Sequence, residues 1–319
     1  MTSQTSPSAS AAVPDAATAG SATPASSALR GIVLMLSAVF VFAGMDATGK
    51  HLFALYPVPV VAAARYLGNL LVLTALMAPR HGWALVKTQR TGLVWVRALS
   101  LAAATLLMGW ALQRMPLPET VAIIFLAPFG VLLLAGPVLG ETVGVAGWLA
   151  AAAGFAGVLL IVRPGGGLDV LGVAFAFAAA AVSVAYNMLS RVLARTETTM
   201  ALLFHTALAG TVVFGAMLPW TLPTVLSGPA PLPFDTLLLC GIGAAALLGH
   251  ALFTSAFRAA PASLLAPVNY MHLVWAGAFG WLAFGHVPEA LSLLGIAIIA
   301  AAGAGIALKT HLGRGRRPA

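Results

Sequence analysis

Few residues of this sequence could do chemistry, and the charged ones among them lie inside or beside long apolar runs. Asp46 is the acid most clearly within such a run. Its carboxyl group could carry a coupling proton or another ion, or bind a substrate amine. The structural alternative is an ion pair with Lys50, because residues four apart face each other on a helix. Both interpretations stay open.

Arg65 is a second charged residue within an apolar run, with Asn69 one turn further on the same helix face. An ionisable side chain inside a membrane costs roughly 2.5 to 3.5 kcal/mol on insertion scales, so it needs a reason. A guanidinium facing a cavity could bind a carboxylate through two parallel hydrogen bonds. The alternatives are an ion pair with Asp46 on the neighbouring helix, which we favour, or a side chain that extends to the membrane surface.

The remaining candidates are polar or aromatic residues within other apolar runs. Asn269 and His272 share a helix face because they are three residues apart, and Tyr270 and Trp275 flank that face. These side chains could line a cavity in which the aromatic rings stack on a planar or apolar ligand. Hydrogen bonds between helices are the alternative for Asn and His. Four further candidates complete the predicted site, with a place in the interfacial aromatic belt as the alternative for the first two: Trp110, Tyr186, Asn187 and His250.

The composition identifies a membrane protein. Of the 319 residues, 61% are hydrophobic and 8% are charged, whereas soluble domains carry about 25% charged residues. The net charge of +8 would favour nucleic-acid binding in a soluble protein, but most basic residues here lie at the ends of apolar runs and in short loops. Cys240 is the sole cysteine, so one chain can form neither a disulfide nor a cysteine metal site. We predict no catalytic residues, no metal, no cofactor and no nucleic-acid partner.

Ten apolar runs are long enough to cross a hydrocarbon core about 30 Å thick, which takes about 20 residues. They predict an all-α polytopic fold with spans at residues 31–50, 58–78, 92–112, 117–138, 143–162, 169–189, 198–219, 236–257, 261–284 and 289–308. Residues 1–28 predict a disordered tail, because they are rich in Ser, Thr, Ala and Pro. Residues 310–319 form a basic tail.

The distribution of basic residues predicts the orientation in the membrane. Twelve of the 16 Lys and Arg residues fall on the side that carries both termini. Arg97 and Arg258 belong to this group and are close enough to the ends of their spans to act as membrane anchors. Since positive charge accumulates on the cytoplasmic side, both termini are predicted to be cytoplasmic.

Two segments of the chain share one plan and begin about 145 residues apart. Each starts at a proline (Pro116 or Pro261) and continues through a long apolar run with an aromatic residue at the same place, Phe125 or Tyr270. Each closes on a Gly followed by a polar residue. Such internal repeats are the usual plan of secondary transporters, which hold their substrate between the repeats.

The match extends to positions outside these segments, where Asp46 corresponds to Asn187. The predicted repeats are residues 29–165 and 166–309, with five spans in each. Because five is an odd number, the second repeat enters the membrane from the opposite side. The sequence therefore predicts an inverted repeat.

Several motifs along the chain carry a resemblance to a known family. They are Arg97-Ala98-Leu99, Ala111-Leu112 through Pro116 to Pro128, Leu139-Gly140-Glu141, Val162-Arg163-Pro164-Gly165, and Tyr270 through Phe284-Gly285-His286-Val287-Pro288. The sequence resembles the EamA-type permeases, the ten-helix branch of the drug/metabolite transporter superfamily. It departs from that family at His286, since a carboxylate often closes the ninth span there.

The resemblance implies a secondary transporter of the bacterial inner membrane that moves a small metabolite by alternating access. Export of an amino acid or another metabolite is the first expectation, and uptake of a nucleoside-like or vitamin-like compound is the alternative. The sequence has no G-x-x-x-x-G-K-(S/T) loop, so protons, another coupling ion or the substrate's own gradient would supply the energy. An intramembrane enzyme is the alternative from another class, and the lack of an acid cluster in the sequence disfavours it. The expected partners are the substrate and the lipid bilayer, and a homodimer is left open.

Overall fold

The computed structural model describes residues 24–139, 145–162, 167–194, 196–228, 232–260, 265 and 268–314. The helices within these residues are α1 (Pro24–Leu55), α2 (Val58–His81), α3 (Thr91–Arg114), α4 (Leu117–Ile124), α5 (Ala127–Leu139), α6 (Val145–Val162), α7 (Val170–Leu193), α8 (Thr199–Leu226), α9 (Pro233–Ala259), α10 (Met271–Phe284) and α11 (Ala290–Arg314), with a 3-10 helix at Gly82–Leu85. The regular structure of the described residues is thus entirely helical.

Six of these helices, α1, α2, α3, α7, α8 and α9, are long and apolar enough to cross a membrane. Four shorter apolar helical segments follow the same pattern at Leu117–Val131, Trp148–Val162, Met271–Phe284 and Ala290–Gly305. Each of these ten segments falls on one of the ten predicted spans. The prediction of an all-α polytopic membrane protein is confirmed, while the inverted repeat stays a prediction.

The fourth span is broken, and here the prediction of one continuous helix was wrong. Helix α4 ends at Ile124 and α5 begins at Ala127, so Phe125 and Leu126 form a turn between them. Pro128 explains the break, because a proline has no N–H and its ring clashes with the carbonyl four residues earlier, which belongs to Ile124.

The ninth span is also interrupted at its aromatic residue. Tyr270 is a turn residue that precedes α10, and residues 268–269 before it are helical. Residues 261–264 and 266–267 of the predicted span lie outside the described residues. The two interruptions meet in space, since the ring centroids of Phe125 and Tyr270 are 5.4 Å apart.

The outer boundaries of the first and last helices also differ from the prediction. Helix α1 begins at Pro24, so the last five residues of the predicted tail are helical, and the rest of that tail lies outside the described residues. Helix α11 continues to Arg314, beyond the predicted end at 308. Two segments used for the repeat and the family resemblance, residues 140–141 and 163–165, lie outside the described residues.

The helices pack mainly in pairs that join one predicted half to the other. Helix α1 packs on α9, α3 on α7, α2 on α8, and α6 on α11. Glycines permit close approach in the last pair: a Cβ atom at Gly157 would lie 2.8 Å from the Gly295 carbonyl oxygen, and a Cβ atom at Gly295 would collide with the Gly157 carbonyl. The two backbones therefore touch, as small residues allow between membrane helices.

We expect Gly295→Ala to lower the thermal stability of the purified protein, because overpacking costs about 1 to 3 kcal/mol and backbone cannot move aside as a side chain can. Gly305 on the same helix is a matched control, since it is exposed and a Cβ atom there meets nothing within 4 Å. Gly305→Ala should be neutral or stabilising, by up to about 1 kcal/mol from helix propensity. Equal melting temperatures for the two variants would contradict the contact.

Candidate functional site

The carboxyl group of Asp46 lies against the imidazole of His272. Asp46 is on α1 and His272 is in the first turn of α10, and the Oδ2 and Nε2 atoms are 3.0 Å apart. The two side chains are only 9% and 12% exposed, respectively. The edge of the His272 ring also meets Phe125 at a centroid distance of 5.5 Å. An acid and a base from different predicted halves therefore form one buried pair beside the break in the fourth span.

Lys50 does not pair with Asp46, so that structural alternative is wrong. The Lys50 ammonium donates hydrogen bonds to the carbonyl oxygens of Leu112 and Met115, at 2.9 and 2.7 Å. Helix α3 ends at this point, and the last carbonyls of a helix have no partner within it. The ammonium also lies 5.6 Å from the centroid of the Phe284 ring. Lys50 thus joins α1 to the end of α3.

Asp46 and Arg65 line one small cavity with a volume of about 20 Å³, which is enough for a water molecule. Its walls come from α1, α2, α3 and α9, and include Thr105, Met108 and Ile242. The predicted Asp46–Arg65 ion pair is not formed, because the Asp46 carboxylate is taken by His272. The Arg65 guanidinium lies 5.7 Å from the centroid of the Tyr66 ring, its charge also acts on His250, and it forms no hydrogen bond or ion pair within the described residues.

The other candidates on the ninth span divide into two groups. Tyr270 is buried, stacks obliquely on Phe125 and packs against Gly303 of α11. Tyr270 and His272 therefore share the aromatic surface at the break in the fourth span. Asn269 is half-buried and forms no hydrogen bond to another described residue. Trp275 points elsewhere and meets the Phe40 ring edge-on at 5.0 Å.

Two further aromatic candidates pack against single rings away from the Asp46–His272 pair. Trp110 lies 5.3 Å from the Phe175 ring, and the His250 ring lies 5.1 Å from that of Phe42. Asn187, the repeat counterpart of Asp46, is half-buried and makes no hydrogen bond within the described part of the chain.

Arg97 is not a membrane anchor, contrary to the prediction from its place near the start of the third span. It is 6% exposed, and its guanidinium donates to the hydroxyl groups of Ser190, Thr206 and Tyr186 at 2.7, 2.9 and 2.8 Å. It also lies 4.5 Å from the centroid of the Tyr186 ring. Tyr186 therefore holds a buried cation between α3, α7 and α8, which the assignment to an aromatic belt did not anticipate.

A second buried acid, Glu119, was missed by the sequence analysis. It is 2% exposed in the first turn of α4, and its Oε1 atom lies 3.1 Å from Nε2 of His286. The signal that could have found it is the departure from the family pattern at His286. A similar pair, His51 and Asp235 at 2.8 Å, joins the end of α1 to the start of α9.

The EamA-like transporter family matches this chain twice, over residues 29–163 and residues 170–308. The chain belongs to this family. Its membership shows that the protein is a transporter of a small metabolite and, with the apolar helices, a multi-pass protein of the inner membrane.

Relatives of this EamA-like transporter have names that state the compound they transport. The pseudopaline exporter CntI of Pseudomonas aeruginosa is 30% identical over 277 residues, which cover 85% of this chain and 94% of that protein. A riboflavin transporter of Vibrio cholerae is 26% identical over 276 residues, covering 85% and 90%, respectively. One solved crystal structure shares the fold, with 21% identity, a TM-score of 0.60, and coverage of 89% of this chain and 98% of its own.

In this EamA-like transporter, the Asp46–His272 pair brings a carboxyl group and an imidazole into direct contact inside the membrane-spanning region. The pair joins α1 to α10, so any change in its charge acts on two helices from different predicted halves. Arg65 adds a positive charge to the same cavity wall as Asp46. The site therefore combines a buried carboxyl–imidazole pair, a guanidinium without a hydrogen-bonding partner among the described residues, and neighbouring aromatic rings.

Proposed function

We propose that this EamA-like transporter moves its substrate by alternating access and that the Asp46–His272 pair is its coupling site for protons. The observation that carries the proposal is the 3.0 Å contact between the two side chains, which bridges the predicted halves next to the cavity. In the membrane interior, ionisable side chains that pair with one another mark ion and proton routes. Loss of a proton from the pair leaves an uncompensated charge there, which favours a different arrangement of α1 and α10.

The inverted repeat belongs to the same proposal and has two supports. The family matches the two predicted halves separately. The packing pairs also follow the repeat: the first span packs on the eighth, the sixth on the third, the second on the seventh and the fifth on the tenth. A shift by five spans exchanges the first two of these pairs with each other and turns each of the other two into itself. Discontinuous helices that meet at the repeat interface are typical of binding sites in secondary transporters.

Orientation is a further part of the proposal, with both termini and the loop before α3 in the cytoplasm. Cysteine labelling in a Cys240→Ser background tests it at two exposed positions, Lys87 and Ser227. We expect an impermeant thiol reagent added to intact cells to label Ser227→Cys but not Lys87→Cys. After permeabilisation both should react. Labelling of Lys87→Cys in intact cells would reverse the orientation.

We infer that the direction of transport is export and that the substrate is an amino acid or a related metabolite. The pseudopaline exporter, at 30% identity over most of both chains, supports this direction. Uptake of a vitamin-like compound is the second candidate, because the chain is also similar to riboflavin transporters.

The test is an unbiased comparison of metabolites inside and outside cells that lack or overproduce the protein. Export predicts that overproduction lowers the internal level of its substrate and raises the external level. Uptake predicts the opposite change. Asp46→Asn, which we expect to lose proton-coupled transport, is expressed to the same level and separates coupled transport from the burden of overproduction. If no metabolite changes between wild type and this variant, the proposed coupling role of Asp46 fails.

A further inference from the structure

We propose that Arg65 is an anion-binding subsite of the transport cavity and that the transported metabolite therefore carries a carboxylate. This inference rests on the proposed function, since it places the substrate in the cavity that Arg65 and Asp46 line. It deepens that function by naming the group of the substrate that is bound and the side chain that selects it.

The first step is that Arg65 lacks the partners that the other interior cations have. Lys50 is held by two carbonyl oxygens and Arg97 by three hydroxyl groups. Arg65 has neither a hydrogen bond nor an ion pair within the described part of the chain. A permanent charge in a membrane span is costly unless it pairs or faces a water-filled cavity. Arg65 lies in the cavity wall, so a counter-ion from outside the protein would bind there.

The second step is that no interior carboxylate near Arg65 is available as a fixed partner. Asp46 shares the cavity wall but is paired with His272. Glu119, in the first turn of α4, is paired with His286. The described residues thus leave one positive charge without compensation at this site, and a bound anion would supply it.

The third step concerns depth. Arg65 is seven residues after Val58, the start of α2, which places it about 10 Å along that helix. Asp46 is nine residues before the end of α1 at Leu55, or about 14 Å from it. Both groups therefore lie well inside their helices and at similar depth.

Charge balance favours a carboxylate over a phosphate. With a proton on the Asp46–His272 pair, the pair is neutral and Arg65 contributes one positive charge. A monoanionic carboxylate neutralises the site, whereas a phosphate monoester with nearly two negative charges would leave an excess. The planar guanidinium also matches a carboxylate through two parallel hydrogen bonds.

The test captures ligands from a metabolite extract on purified protein in detergent and identifies them by mass spectrometry. The proteins are wild type, Arg65→Gln, Arg65→Lys and Arg114→Gln. Arg114 is a matched control, because it is an arginine at the exposed end of α3, 3.8 Å from Asp169. We expect wild type and Arg114→Gln to enrich the same carboxylate-bearing compounds. Arg65→Gln should reduce that enrichment by about tenfold or more, as for loss of a charge-assisted hydrogen bond, and Arg65→Lys should be intermediate.

A second measurement separates a binding role from a structural one. Since Arg65 is uncompensated in the empty transporter, Arg65→Gln should melt at a temperature equal to or above that of wild type. An Arg65→Gln protein that does not fold would show that the guanidinium has a structural role, and would overturn the proposal.

The other outcomes are equally decisive. Equal enrichment on wild type and Arg65→Gln, enrichment of uncharged compounds alone, or no enrichment on wild type would overturn the anion subsite. Phosphate esters in place of carboxylates would overturn the carboxylate assignment. Proton-coupled flux of an uncharged metabolite in proteoliposomes would contradict the anion-binding subsite and leave the proposed function intact. Lack of any Asp46-dependent flux would instead count against the proposed function.

Discussion

Asp46→Asn is expected to reduce gradient-driven accumulation of substrate to the level of vesicles without protein, while substrate exchange at equal pH continues. An amide is close in shape to a carboxylate and can still hydrogen-bond to His272, so the contact between α1 and α10 should persist. What it loses is the ability to take up and release a proton. If the pair couples transport to protons, only the coupled reaction stops.

The measurement is uptake into proteoliposomes with and without an imposed pH gradient, using the compound found by the metabolite comparison. Asp235→Asn is a matched control, because Asp235 is also buried and lies 2.8 Å from a histidine, His51, but the two line a different cavity from that of Asp46 and Arg65. This control should retain accumulation close to that of wild type. Undiminished pH-dependent accumulation by Asp46→Asn would rule out the coupling role. A parallel loss of folded protein and of exchange would instead indicate a structural pair.

Exchange of the two partners adds a second comparison. The double variant Asp46→His with His272→Asp retains one acid and one base across the same helix contact. A purely structural pair would regain folded protein in this variant. Coupling should not return fully, because the acid then lies on α10, away from Arg65.

The sequence could predict the ten spans but not the partner of Asp46, and the reason is physical. Span length and apolarity are set by the bilayer and are visible in one stretch of sequence. The pairing of Asp46 with Lys50 followed from a local rule, the spacing of four residues on a helix. In the fold, the end of α3 supplies carbonyls that bind Lys50, and His272 reaches Asp46 from 226 residues away. Only tertiary packing brings these groups together.

Other differences between sequence and structure have the same origin or a local one. The break in the fourth span had a local signal, Pro128. A proline within a long apolar run does not by itself predict a break, because a membrane helix can tolerate proline. The burial of Arg97 had no local signal, since α7 and α8 supply its hydroxyl partners. For the candidate site, residue types indicated Asp46, Arg65 and His272, but their relation to one cavity required the fold.

Arg97 and its three hydroxyl partners give the second large expected effect. Here the substitution that keeps the charge, by lysine, is expected to be more harmful than the one that removes it. Two of the three hydroxyl groups that accept from Arg97 already donate to carbonyls of their own helix: Ser190 to Tyr186 and Thr206 to Leu202, each at 2.7 Å. Removal of the guanidinium would therefore leave these two hydroxyls with a partner. Replacement of the planar, forked guanidinium by the ammonium of a lysine would keep the charge, but the ammonium cannot reach all three acceptors.

We therefore expect Arg97→Lys to lower the thermal stability of the purified transporter more than Arg97→Met does. Lysine keeps the buried charge, whose cost is roughly 2.5 to 3.5 kcal/mol on insertion scales, but loses most of the compensating bonds. Methionine fills a similar volume without charge, and loss of a neutral hydrogen bond in a membrane bundle averages about 0.6 kcal/mol. Arg258 is the control, since it is exposed near the end of α9, and both Arg258→Lys and Arg258→Met should melt close to wild type. If Arg97→Lys were as stable as wild type while Arg97→Met were not, the positive charge itself, rather than the geometry of the fork, would hold α3, α7 and α8 together.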